Sequence, residues 1–519
     1  MNVLQGLRRA VQINHDGYAT IDGERRQTWG ALMQRVAKLA GALSKLGMQT
    51  GGRVAILAFN SDCYLEYYFA VPWAGGIIVP LNTRLAPPEL VYMLNDAGVE
   101  ILVVDEAHKA VLPALTTGAD AIRHVILIGD SDLPSNAVRH EEIIAAADSV
   151  SDAGRGGDDV LGIFYTGGTT GLPKGVMLSH NNLICNSMAS LLQMHDGDPL
   201  VFLHSAPMFH IADCQWVVGA TLEAGTHVFT PKFVPEEMLK LIESYRITHC
   251  ALVPTMVLML CNVAHKVSAD VSSLRRMNYG GSPMSPAIIA RAREVFPRCQ
   301  FIQGYGQTET SPNISMLPDK YHTETGEFSG KVESAGQPIF TMEVQIVDEN
   351  DHEVPRGQIG EIVTRGPNVM VGYWNKPKET AHALRGGWMH TGDAGFMDDD
   401  GFLFIVDRIK DVIISGGENV YSVEVEHVLY QHPAVAMCAV IGIPDETWGE
   451  SVHAIVVSKE GYTLTEDELV KHCRQFIAGY KCPRSVDIRS EALPMTGAGK
   501  ILKRELRAPY WEGRSRQVN

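Results

Sequence analysis

Short runs of β-branched and aliphatic residues punctuate the first part of the chain: RVAILAF at 53–59, EILVVD at 100–105, HVILIGD at 124–130 and LGIFYT at 161–166. Helix-like segments such as APPELVYMLNDAG separate them. Strands that are apolar on both faces and spaced by helices pack as parallel sheets covered by helix layers. The expected class is therefore α/β, and in open sheets of that kind the ligand loops lie at the carboxyl ends of the strands. LGIFYT delivers one such loop, YTGGTTGLPKG at 165–175.

That loop places three Thr, four Gly and one Lys where backbone N–H groups and hydroxyls can cradle an anion. It is not a P-loop, because Pro173 precedes Lys174 and Gly175 follows it, where the P-loop pattern needs Gly before the Lys and Ser or Thr after it. A different nucleotide chemistry is implied. The net charge of -16 disfavours a nucleic-acid surface, so a polyanionic ligand must rely on local positive groups.

At 519 residues the chain exceeds one ordinary core, and at least two domains are expected. From about residue 340 the texture changes to shorter strands and turns, VQIVDEND, GQIGEIVTRG and DDDGFLFIVDRIKD, which read as an antiparallel β subdomain. Residues 411–519 hold the helix pattern SVEVEHVLYQHP, the strand AVIGIP and the helix TEDELVKHCRQFI, a small α+β domain. With no repeat and no linker-like tract, the expected division is 1–409 and 410–519, with a tight hinge near 407–412. The nine cysteines are scattered without a C-x-x-C pair or a short Cys/His ligand spacing, which reads as buried, reduced thiols of a cytoplasmic protein. MNVLQGLRRAVQINHDGY lacks the apolar run of a secretory signal, and YFAVPWAGGIIVP is too short and too interrupted to span a bilayer.

Six islands carry the candidate chemistry: YTGGTTGLPKG, APMFH at 206–210, YGGSPMS at 279–285, GYGQTET at 304–310, the pair HTGD at 390–393 and DRIKDVIISGGENVY at 407–421, and PMTGAGKILKREL at 494–506. In order and in combination they closely resemble the adenylate-forming superfamily of acyl-CoA synthetases, aryl-CoA ligases, luciferases and peptide-synthetase adenylation domains, over nearly the whole chain. The resemblance implies a large N-terminal domain of layered α/β subdomains with a small β subdomain, followed by a small mobile α+β domain. It also implies a two-step reaction in which a carboxylate and Mg-ATP give acyl-AMP and pyrophosphate, and a thiol then displaces AMP. ATP, Mg2+ and CoA are the implied cofactor and co-substrates.

In the opening loop Thr166, Thr169, Thr170 and Lys174 offer donors on a backbone that Gly167, Gly168 and Gly171 open, which suits pyrophosphate. By the resemblance, Gly280, Gly281 and Ser282 form a strip beside the adenine, although a plain turn explains them too. In the segment Gly304, Tyr305, Gly306, Gln307, Tyr305 lies on the adenine; Thr308 contacts the α-phosphate and Glu309 holds Mg2+, which takes one or two carboxylates plus phosphate oxygens. Glu309 also suits a capped helix start. Asp393 resembles the ribose clamp and Arg408 its support. Lys500, matched with Pro494, Thr496 and Gly499, implies a mobile charge for the reacting carboxylate and α-phosphate. Lys410 matches the hinge position, and Gly416 and Gly417 leave room for a pantetheine arm. His210 implies substrate positioning or gating, with a core histidine as the competing reading.

The acid is less constrained. Acetyl-CoA synthetases of this superfamily place Trp where Gly306 stands, so a fatty acid longer than acetate is expected, with cinnamate-like acids as the alternative. Asp213, Cys214 and Trp216 either shape that pocket or back it. A carrier-protein thiol is the alternative acceptor, although no carrier segment is seen after residue 506. A luciferase-type oxygenase and a non-catalytic binder are the other readings. The combination of Lys500, Glu309 and Asp393 argues against a mere binder. Nucleic acid and integral membrane association are not expected, and a homodimer is allowed for.

Overall fold

The computed structural model describes residues 1–512 apart from 134–136, 167–171, 283, 324, 417, 460 and 496–500. They pack as two compact units, Met1–Val344 with Thr364–Met389, and Gln345–Val363 with His390–Asn519.

The predicted strands form the middle of an eight-stranded sheet in the first unit. Its order is Gly372–Tyr373, Lys174–Ser179, Val160–Thr166, Ile77–Pro80, Arg53–Leu57, Ile101–Asp105, His124–Ile128, Ala137–Arg139. The pairings from Val160–Thr166 outward to Ala137–Arg139 are parallel. The intervening segment APPELVYMLNDAG becomes the helix Pro87–Ala97. Proline in its first turn sacrifices no intrahelical bond, and Gly98 at φ 62° closes it in the left-handed region. One detail departs from the purely parallel expectation: Val160–Thr166 pairs antiparallel with Lys174–Ser179, so the glycine-rich segment connects a hairpin.

A nine-stranded sheet completes the first unit, in the order Gln337–Pro338, Asn313–Leu317, Gln300–Gly306, Arg276–Gly280, His249–Leu252, Val201–His204, Thr226–Phe229, Tyr18–Asp22, Arg25–Thr28. Helices cover it with buried Val257, Leu260, Ile289 and Phe296. Asp213, Cys214 and Trp216 lie on the helix Ile211–Leu222, all buried, with the Trp216 ring stacked on Phe202 at 5.3 Å. They back the sheet.

Asp213 opens a buried polar chain across this layer. Its Oδ2 lies 2.7 Å from His204 Nδ1, His204 Nε2 lies 2.9 Å from His227 Nδ1, and His227 Nε2 lies 3.1 Å from Thr221 Oγ1, which donates to Val217 O at 2.7 Å. The proton order follows from the last link. A threonine hydroxyl that donates to a carbonyl accepts from His227 Nε2–H, so His227 Nδ1 accepts from His204 Nε2–H, and Asp213 and His204 Nδ1 share the remaining proton. Burial, then the neighbouring His204, holds His227 well below the ordinary histidine range, in keeping with a neutral ring. Removing one member leaves a buried polar group unpaired, so Asp213→Ala is expected to lower stability by about 3–5 kcal/mol. Urea unfolding measures it, and a loss under about 1 kcal/mol would count against this assignment.

In the second unit, Met389–Met397 and Leu403–Arg408 pair antiparallel within a four-stranded sheet that also includes Glu343–Val347 and Gly360–Arg365. A five-stranded sheet is built around the hairpin Val435–Asp445 and Gly449–Ser458. The predicted helices appear as Ser422–Tyr430 and Glu466–Cys473. The turn Ile409–Asp411, where the hinge is expected, lies inside this unit. Around it Ser422 Oγ donates to Asp407 Oδ2 at 2.7 Å, and Arg507 pairs with Asp411 at 3.1 Å.

All nine cysteines are free, eight of them buried and Cys185 half-buried. Among the described residues no helix is long and apolar enough to cross a membrane.

Candidate active site

Val201–His204, His249–Leu252, Arg276–Gly280 and Gln300–Gly306 are parallel neighbours, so they finish at one edge of the nine-stranded sheet. Three of the sequence islands follow from those ends: 206–210, 280–282 and 304–310. Gly280 sits in register beside Gly304, while Gly281 and Ser282 are exposed. Tyr305 is half-buried. Gly306 has φ 155°, and a Cβ there would approach Pro312 O to 2.0 Å and Ile314 N to 2.9 Å. Both obstacles are backbone. The position is therefore glycine because two chain segments nearly touch, whatever it also does for an acyl chain.

The next residues form the short turn Thr308–Thr310. Gln307 N donates to Thr310 Oγ1 at 3.1 Å and Thr310 N donates back to Gln307 O at 2.9 Å. Thr308 is half-buried, and Gln307 Nε2 is buried with no partner among the described residues. Glu309 is only 8 % exposed. Its Oε1 accepts a 2.8 Å hydrogen bond from Tyr373 Oη, and its backbone O accepts from Met370 N at 2.8 Å.

Tyr373 had no place in the sequence reading. It arrives because Gly372–Tyr373 adds as an edge strand beside Lys174–Ser179, with Tyr373 opposite Val176. Lys174 Nζ then lies 4.7 Å from the centroid of the Tyr373 ring, within the range of a cation–π contact. Thr166 closes the base of the hairpin, its hydroxyl 3.5 Å from Lys174 O. Burial, then Glu309, pushes the Tyr373 phenol well above its usual range, so it stays a donor. The structure thus brings Thr166, Lys174 and Glu309 together. Gly167, Gly168, Thr169, Thr170 and Gly171 lie outside the described residues.

His210 caps the helix Ile211–Leu222, its Nδ1 accepting from Ala212 N at 3.1 Å. An accepting Nδ1 leaves the ring proton on Nε2 of a neutral imidazole. His210 is half-buried at the loop end, whereas His204, His227 and His249 are among the fully buried histidines.

In the second unit Asp393 is buried, and Arg408, its partner in the antiparallel register, places Nε 2.6 Å from Asp393 Oδ1. Burial holds the Lys410 ammonium below the ordinary lysine range. Gly416 has φ 65°, and a Cβ on it would come within 2.6 Å of the Trp448 ring. A side chain at this position would therefore meet that indole. Gly417, Thr496, Gly499 and Lys500 lie outside the described residues.

Loops gathered at the carboxyl ends of a parallel sheet, with a carboxylate and a lysine joined by one phenol, suit a metal-bearing anion such as a nucleotide. The chain belongs to the AMP-binding enzyme family, whose model matches residues 7–374, with the family's C-terminal domain matching 424–500. It is 41% identical over 502 residues to a feruloyl-CoA synthase of Amycolatopsis sp, covering 96% of each chain. It is 35% identical to the fatty acid–[acyl-carrier-protein] ligase ScoC of Streptomyces coeruleorubidus, covering 95% of this chain and 94% of that one. The ATP-bound structure of MatB from Rhodopseudomonas palustris superposes with a TM-score of 0.87 at 30% identity, covering 98% of this chain and 99% of that chain. The expected acid–thiol ligase chemistry, with ATP, Mg2+ and CoA, stands on this membership.

Proposed function

We propose that this AMP-forming ligase activates a carboxylic acid larger than acetate and passes it to CoA, with Glu309, Lys174 and the loops around them forming the triphosphate end of the site. The observation behind the triphosphate end is the arrangement of Glu309, Tyr373 and Lys174 at the hairpin of Val160–Thr166 and Lys174–Ser179, and the feruloyl-CoA synthase among the relatives supports the rest. Lys174 supplies positive charge that the chain as a whole lacks. Thr308 supplies a hydroxyl to the α-phosphate, and Gly280, Gly281, Ser282 and Tyr305 border the adenine. Asp393 accepts from the ribose hydroxyls, with Arg408 fixing its orientation. His210 presents its Nε2–H towards the acid. Lys500 approaches the reacting phosphate, and rotation near Lys410 later withdraws it.

Glu309 suits Mg2+. It belongs to no cluster of protein ligands; among the described residues the one such group is Cys63, His140 and Glu141, where Arg25 and Arg35 already hold the Glu141 oxygens. A single buried carboxylate fits a Mg2+ that arrives with the triphosphate and keeps phosphate and water ligands. When bound, the ion neutralises charge on the phosphates. The carboxylate substrate is itself the nucleophile, so the protein's part is positioning and electrostatics.

Fatty acids are the acid class expected from the sequence. A second reading, hydroxycinnamic acids, is favoured by the 41% identity with a feruloyl-CoA synthase. The free cysteines suit a reducing cytoplasm. A panel of acetate, C6–C16 fatty acids and ferulate, each with ATP and CoA, decides the acid. Acetate as the best substrate would contradict the proposal. A product formed on a carrier protein but not on CoA would replace the acceptor.

A further inference from the structure

We propose that Tyr373 is a positioning residue for the metal-bearing nucleotide: it holds Glu309 and Lys174 apart and keeps each available for its own ligand. This rests on the reading of Glu309 as the Mg2+ carboxylate. A carboxylate and an ammonium close together in a partly buried site attract each other strongly, and a direct pair would satisfy both without any nucleotide. Instead the tyrosine stands between them. Its hydroxyl donates to Glu309 Oε1 at 2.8 Å, and its ring face carries Lys174 Nζ at 4.7 Å. Among the described residues Oε2 of Glu309 accepts no hydrogen bond, so the carboxylate is oriented through one oxygen and keeps the other for a ligand.

The tyrosine is itself fixed from three directions. Its strand is paired with Val176 and Met177, its backbone N donates to Thr380 Oγ1 at 2.9 Å, and the chain just before it is tied to Glu309 through Met370 N. The ring is buried, 7 % exposed. A phenylalanine would keep the cation–π surface and lose the orienting hydroxyl, whereas a leucine would lose both.

The test is equilibrium binding of ATP by calorimetry at varied Mg2+, with wild type, Tyr373→Phe and Tyr373→Leu. Tyr373→Phe should raise the Mg2+ concentration for half-maximal binding about ten- to a hundredfold, the range for one hydrogen bond to a charged group, and leave metal-free ATP binding unchanged. Tyr373→Leu should weaken metal-free binding as well, since Lys174 is then free to pair with Glu309. In a cycle with Glu309→Gln the effect of Tyr373→Phe on Mg2+ dependence should vanish, a non-additivity that loss of packing alone would not give. An unchanged Mg2+ profile in Tyr373→Phe, or full additivity with Glu309→Gln, overturns the proposal. If wild type itself binds ATP without regard to Mg2+, it is the reading of Glu309 that fails.

Discussion

Replacing Lys500 with alanine is expected to lower acyl-AMP formation about 10²–10³-fold, the scale for removing one group aimed at developing charge, while thioester formation from supplied acyl-AMP stays near wild type. Lys500 lies outside the described residues, and the expectation comes from the PMTGAGK match. On either side of 496–500, Met495 and Ile501 pair in an antiparallel bridge, and Leu502 N donates to Pro494 O at 2.8 Å. Rapid-quench measurement of each half-reaction separates the two steps. Equal loss in both, in a folded variant, would remove Lys500 from the adenylation step.

Gly306→Ala is expected to depress activity towards every acid in parallel. A Cβ at 2.0 Å from Pro312 O forces the two chain segments apart. Strain of about 1–3 kcal/mol is typical of such positions, and at an active-site turn that amounts to about ten- to a hundredfold in rate. The sequence comparison with acetyl-CoA synthetases suggests a different use of this residue, in which a larger side chain only walls off the pocket and moves preference to acetate. The two accounts part in a chain-length series of kcat/KM. A uniform drop supports the backbone role; a selective loss for long acids, with acetate spared, supports the pocket wall and would contradict the expectation.

The elements that could be read from the sequence are those whose pattern is local. RVAILAF and HVILIGD are apolar on both faces and became the parallel strands Arg53–Leu57 and His124–Ile128. Thr308 and Glu309 were singled out by the resemblance of GYGQTET to a known family, and they fall in the turn Thr308–Thr310. Tyr373 was not, because its importance comes from an edge pairing with Val176 and Met177 in a distant part of the chain. Nor was the crowding at Gly416, which depends on Trp448 folding over it. The Asp213–His204–His227 chain has no sequence signature either; three residues on a helix and two strands become one network only when the sheet forms. In each case a contact between remote segments decides what a residue does.

The most direct test of the central claim is a nucleotide and thioester balance on the purified protein with ATP, Mg2+, CoA and an accepted acid. AMP, pyrophosphate and acyl-CoA should appear in equal amounts, and pyrophosphate release should require the acid. Formation of ADP and phosphate, or AMP release that is indifferent to the acid, would contradict an acyl-adenylate route.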